Sequence, residues 1–219
     1  IVGEYKTWIG SIYLWPDVSI VDPALTVTAP PRQTAGSGMD ALSHAIEAFM
    51  VCENNPASDA LSLEAVKLIS KNLRRVYHHG QDLEARWNMS WAAAIAGWVC
   101  AFAAGPATPG HCIAEAIGPR YKIPHGEACG ITLPYVIEYN LPASTDRVAM
   151  IASAMDENID GLRSREAAFK AVEAVIELMR DIDLPTSLKE ANVPKADLAE
   201  FAEYLVKERQ YMYDLARYN

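Results

Sequence analysis

The stretch Gly38-Met39-Asp40-Ala41-Leu42-Ser43-His44-Ala45-Ile46-Glu47-Ala48-Phe49 decides how the rest of the chain is read. No proline interrupts it, and Ala, Leu, Met and Glu suit a helix because they lose little side-chain freedom there. At about 3.6 residues per turn, Asp40 and His44 stand one turn apart on a single face. Glu47 follows on nearly the same stripe. Ala41, Leu42, Ala45, Ile46, Ala48 and Phe49 cover most of the remaining surface, so this is a largely buried helix carrying ionisable groups. Buried charge is costly unless it is paired or bound to a cation. Two readings fit: Asp40 and His44 share one divalent ion, or Asp40 pairs with an arginine while His44 bonds a neighbouring carbonyl.

Working outward, Gly110-His111-Cys112-Ile113-Ala114-Glu115-Ala116-Ile117-Gly118 runs into Tyr121-Lys122-Ile123-Pro124-His125-Gly126-Glu127. His111 precedes a short apolar helix and His125 follows a proline turn. The chain has 5 histidines, and the other two are the adjacent His78 and His79 in a polar turn, read as surface. His44, His111 and His125 instead lie in Gly- or Ala-rich apolar surroundings, where a neutral ligand imidazole is at home. One Asp and three His form an N/O set suited to iron or zinc and poor for calcium or magnesium, which prefer oxygen shells. Cys52, Cys100, Cys112 and Cys129 are scattered without C-x-x-C spacing, as expected of reduced thiols in a cytoplasmic protein. Cys112 and Cys129 lie near two of the candidate ligands but read as small packing residues.

Together with Tyr135-Val136-Ile137-Glu138-Tyr139-Asn140, these stretches resemble the iron-containing (group III) alcohol dehydrogenases. The resemblance runs from about Lys6 to the C-terminus. It is most specific at V-D-P-A-L-T (Val21 to Thr26), at Gly38 to Phe49 and at P-H-G-E-A (Pro124 to Ala128). It implies Asp40, His44, His111 and His125 as ligands of Fe2+ or Zn2+, and reversible hydride transfer between an alcohol and NAD or NADP. It further implies that Lys6 and His125 lie on the cofactor side, although Lys6 reads equally as a solvated surface lysine. A small alcohol or aldehyde is the implied substrate and a homo-oligomer the implied assembly. One position departs from the family pattern: a histidine usually stands four residues after the third ligand, and this chain has Glu115. Glu115 is read either as a catalytic proton relay or as a helix residue facing solvent or an arginine.

Composition narrows the field further. With 19 basic against 28 acidic residues, the formal charge of −9 argues against nucleic acid or an anionic membrane as partner. The longest uncharged apolar run, Trp91 to Ala104, has the size of a buried core helix and is too short to span a bilayer. Residues 1–30 read as the short extended tail of a nucleotide-binding Rossmann-like α/β domain, with a strand expected at Val18-Ser19-Ile20-Val21. Residues 31–219 read as an all-α, multi-helix metal-binding domain of about eight helices.

Helix caps are expected at Thr34 or Ser37, at Ser58 and at Asp82, with a stop at Asn140-Leu141-Pro142 and a fresh start at Ser144 or Thr145. No Gly-rich phosphate-binding fingerprint occurs, and Gly36-Ser37-Gly38 is the nearest approach. The resemblance places the pyrophosphate-binding loop before residue 1, so the chain is read as the metal-binding half of a longer enzyme, inactive when isolated. Two other functions fit the same donors: a metal-dependent hydrolase or lyase of dehydroquinate-synthase-like architecture, or a non-catalytic helical module.

Overall fold

The computed structural model describes residues 11–51, 55–101 and 109–208. Among the described residues seven α-helices follow in order: α1 Pro31–Met50, α2 Pro56–His78, α3 Leu83–Val99, α4 Pro109–Tyr121, α5 His125–Ala154, α6 Ser164–Asp181 and α7 Leu198–Glu208. Short 3-10 turns lie at Ile12–Leu14, Pro23–Thr26 and Lys195–Asp197. No strand occurs among the described residues. The expected strand at Val18–Val21 is irregular chain with Val18 and Ile20 exposed. Backbone this short has no ladder to join without neighbouring strands.

The helix starts follow local chemistry, not always that expected. α1 opens with Pro31 at its first position, where the missing N–H is one the helix could not have used. Neither Thr34 nor Ser37 caps it: Ser37 Oγ donates back to the Gln33 carbonyl at 2.8 Å, and Thr34 Oγ1 accepts from the buried Arg86 at 3.0 Å. In α2 the cap is Asn55, whose side chain accepts from the amides of Ala57 and Ser58. Ser58 supplies the reciprocal bond as the third helical residue. Asp82 caps α3 as its spacing predicts, accepting from Ala85 N at 3.0 Å. The break expected after Pro142 is present: Ser144 has non-helical angles, and α5 is two helical segments meeting at a kink there, where the sequence expects a fresh start.

α1 is the central rod. Between Thr34 and Met50 only Ser37 is exposed, with Asp40 and His44 partly so, because α2, α3 and α5 pack around it. Arg147 on α5 locks its far end by donating to the Phe49 carbonyl and pairing with Asp59 on α2, its guanidinium 4.0 Å above the Phe49 ring. α3 is not buried all round as its apolar composition suggested. Ala85, Met89, Ala92, Ile95, Ala96 and Val99 face the core, while Leu83, Trp87, Trp91 and Trp98 form an exposed stripe.

α1 meets α5 backbone to backbone. A Cβ added at Gly126 would stand far inside van der Waals contact distance of the Gly36 carbonyl oxygen, so only glycine permits this approach. Gly97, exposed on α3, has nothing within 4 Å of an added methyl. In denaturant unfolding, Gly126→Ala is expected to lose about 3 kcal/mol through overpacking. Gly97→Ala should gain about 0.5–1 kcal/mol from reduced chain entropy.

Candidate metal centre

Three helices deliver ionisable groups to the side of that glycine contact. Asp40 and His44 come from the middle of α1, His111 from the first turn of α4, and His125 is the first residue of α5. Asp40 Oδ1 stands 3.4 Å from His111 Nε2 and 3.5 Å from His125 Nε2. The His44 ring stacks on His111, centroids 4.3 Å apart and 16° from parallel. A fourth donor joins the first three: Cys129, one turn after His125 on α5, places Sγ 3.6 Å from His125 Nε2. The ligand atoms of Asp40, His111, His125 and Cys129 all lie within 4.8 Å of one another.

Behind His111 stands Glu47, 1% exposed. Its Oε1 lies 2.7 Å from His111 Nδ1, and its Oε2 accepts from the Gly110 amide at 3.0 Å. Gly110 has to lack a side chain, because a Cβ there would come within 2.7 Å of Glu47 Oε1. A carboxylate only accepts, so it keeps the proton on Nδ1 and turns the Nε2 lone pair toward Asp40.

Burial pushes the His111 pKa down, but the charge of Glu47 and the bonds from Asp40, Cys129 and Glu47 outweigh it, leaving His111 well above the usual histidine range. Burial likewise raises Asp40, but hydrogen bonding to His111 and the charges of His44, His125 and His111 hold it well below the usual carboxylate range. Asp40 Oδ1 is sealed from solvent, and its contacts of 3.4 and 3.5 Å to the two imidazole nitrogens are longer than good hydrogen bonds. A carboxylate oxygen facing two imidazole nitrogens in this way needs positive charge between them, supplied by a proton or a cation. The donors therefore fit a divalent ion of the iron and zinc class.

A cleft of about 450 Å³ reaches this point, lined by Arg32, Gln33, Ser37, Asp40, Pro124 and His125 among others. At its wall Arg32 grips the buried Glu127 with two bonds, of 2.5 and 3.0 Å. Glu115 is buried one turn beyond His111 on α4, which removes the solvent-facing reading. Lys6 lies outside the described residues. His78 and His79 sit at the end of α2 and are not among the residues that converge here.

Two members of the site escaped the sequence reading. Glu47 was visible on the Asp40/His44 stripe but had no assigned partner. Cys129 reads as packing from the sequence, and it is buried; the His125-x-x-x-Cys129 spacing puts both on one helix face and brings its sulfur beside the cluster.

Residues 34–216 match the sequence profile of the Fe-containing alcohol dehydrogenase family, C-terminal. The chain belongs to the iron-containing alcohol dehydrogenase family. It is 42% identical over 193 residues to 1,3-propanediol dehydrogenase of Klebsiella pneumoniae, covering 88% of this chain and 49% of that protein. It is 38% identical over 188 residues to the NAD-dependent methanol dehydrogenase of Bacillus methanolicus, covering 86% and 49%. Among solved structures, 1,3-propanediol oxidoreductase superposes with a TM-score of 0.80 at 39% identity, covering 85% of this chain and 48% of that one. The chain thus spans about half the length of the curated relatives it matches. No helix among its described residues is long and apolar enough to cross a membrane.

Because Glu47 fixes the ring that carries Nε2, Glu47→Ala is expected to weaken zinc affinity about 10- to 100-fold in a chelator competition while helix content is retained. Glu47→Gln, which keeps an acceptor for Nδ1 but offers an amide toward Gly110 N, should fall between the two.

Proposed function

We propose that this chain is the metal-binding half of an NAD(P)-dependent dehydrogenase that interconverts small alcohols and aldehydes. The observation that carries the reading is the convergence of Asp40, His111 and His125 at the end of an open cleft, in a chain of this family. In the reaction, a hydride leaves the alcohol carbon for the nicotinamide and the hydroxyl proton leaves for solvent, giving aldehyde and reduced cofactor. Asp40, His44, His111 and His125 would hold a divalent iron or zinc ion, which would supply Lewis-acid stabilisation of the charge developing on the reacting oxygen.

The chain's own residues set the conditions for that chemistry. Asp40 contributes a single negative charge against neutral imidazoles, so the centre keeps a net positive potential where the oxygen's charge grows. Glu47 holds His111 in the tautomer that donates through Nε2. His125, on the cleft wall, borders the space through which substrate and nicotinamide reach the centre, and the family resemblance alone assigns Lys6 to the cofactor ribose. Glu115, in the place of the usual family histidine, relays the hydroxyl proton. The reading carries with it a homo-oligomeric, cytoplasmic enzyme.

Metal analysis of the purified chain beside Asp40→Ala and His125→Ala tests the centre, with about one ion per chain expected in the parent and loss in both variants. Alcohol-dependent reduction of NAD or NADP by the protein as its source expresses it tests the reaction. Turnover of esters or phosphosugars without nicotinamide would replace the dehydrogenase reading with the hydrolase or lyase one. Glu115→Gln is expected to lower kcat about 10²-fold with metal content unchanged. Unaltered kcat would remove Glu115 from the proton route.

A further inference from the structure

Arg32, Gly36 and Asp40 follow one another at four-residue intervals on α1, and all three line the same cleft. At 1.5 Å of rise per residue they stand about 6 Å apart along one face of the helix. The start of α5 lines that cleft with His125, Gly126 and Glu127. The two helices therefore meet at three successive places. The Arg32 guanidinium sits on the Glu127 carboxylate, the Gly36 carbonyl lies against Gly126, and Asp40 Oδ1 faces His125 Nε2 at 3.5 Å.

These contacts differ in what they supply. Missing side chains let the glycines approach, but the attraction between them is only weak dispersion. Asp40 and His125 are too far apart for a good hydrogen bond, so they do not draw the helices together. Arg32 and Glu127 do, through a forked pair of bonds: Nε donates to Oε1 at 2.5 Å and Nη2 to Oε2 at 3.0 Å. An ion pair exposed at both ends contributes little. This one is asymmetric, the Glu127 side chain being 3% exposed and that of Arg32 74%. Without the guanidinium a buried carboxylate loses its counter-charge, and water reaches it only if the first turns of α1 and α5 part.

We propose that Arg32 is a positioning residue of the metal centre: clamped on Glu127, it holds the first turns of α1 and α5 together and so sets the Asp40–His125 separation at which an ion is bound. The inference rests on the reading of Asp40, His44, His111 and His125 as the ligands. Arg32 acts through the backbones of the two helices, from a little over two turns before Asp40 on α1, and is not itself a ligand.

Zinc affinity of the full chain, read by chelator competition, tests the clamp. Arg32→Met is expected to bind zinc about 10-fold more weakly than the parent. A smaller loss is expected in Arg32→Lys, which keeps the charge without the fork. Cobalt(II)-loaded Arg32→Met should also show altered visible bands, which report the geometry of the donors and not the stability of the fold. Arg74 provides the comparison: its 2.6 Å bond to Asp181 joins α2 to α6, and Arg74→Met should keep parental affinity and bands. Parental zinc affinity in Arg32→Met, or an equal loss in Arg74→Met, overturns the positioning role and leaves the metal centre standing. Should Arg32→Met fail to fold, Arg32→Lys decides alone, since parental affinity there overturns the need for the fork. A parent that binds no zinc sinks the metal reading and this inference with it.

Discussion

Where α1 and α5 cross, the Gly36 carbonyl and the Gly126 α-carbon occupy neighbouring space with no side chain between them. Asp40 follows Gly36 by one turn, and His125 immediately precedes Gly126. The approach of the two backbones is therefore also the approach of carboxylate and imidazole. Had Gly126 carried even a methyl group, the helices would sit further apart, and a 3.5 Å separation between Asp40 and His125 could not be held. The burial of α1 by α2, α3 and α5 pins the rest of the geometry, since a rod with one exposed residue between Thr34 and Met50 has little freedom to rotate.

Around that crossing the polar groups form a sequence of dependencies. The Gly110 amide and the His111 ring meet the two oxygens of Glu47, which lies on α1 a little under two turns from Asp40. One helix therefore supplies a candidate ligand and the carboxylate that orients another. α4 is held to α1 by the very bonds that aim His111, so packing and ligand geometry are not separable here. The cost of burying Glu47 is met locally, by two donors on consecutive residues.

The periodicity of Gly38 to Phe49 was enough to give a buried helix with ionisable groups on one stripe, and the isolation of His111 and His125 in apolar sequence marked them as unusual. Those signals are local, and the structure keeps them. What spacing cannot carry is distance between elements. Glu47 had no visible partner because its partner is 64 positions away. The missed caps are a matter of competition: Ser37 and Thr34 are good cap residues, but Pro31 starts the helix before either is reached, and their hydroxyls turn to other work. Pro142 reads as a terminator by the same local logic, and α5 does break just after it, its two segments meeting at the kink of Ser144.

The position of His125 at the very start of α5 has a kinetic consequence. Its partners Asp40 and His111 are anchored to other helices, so an ion caught among them is held from three sides while the fourth faces the cleft. Entry and escape then need no parting of the rods, and the residence of an ion is governed by its bonds to these side chains and not by the interior packing. An open approach makes for exchange: the metal content of such a protein would follow the supply around it and not only the supply at synthesis.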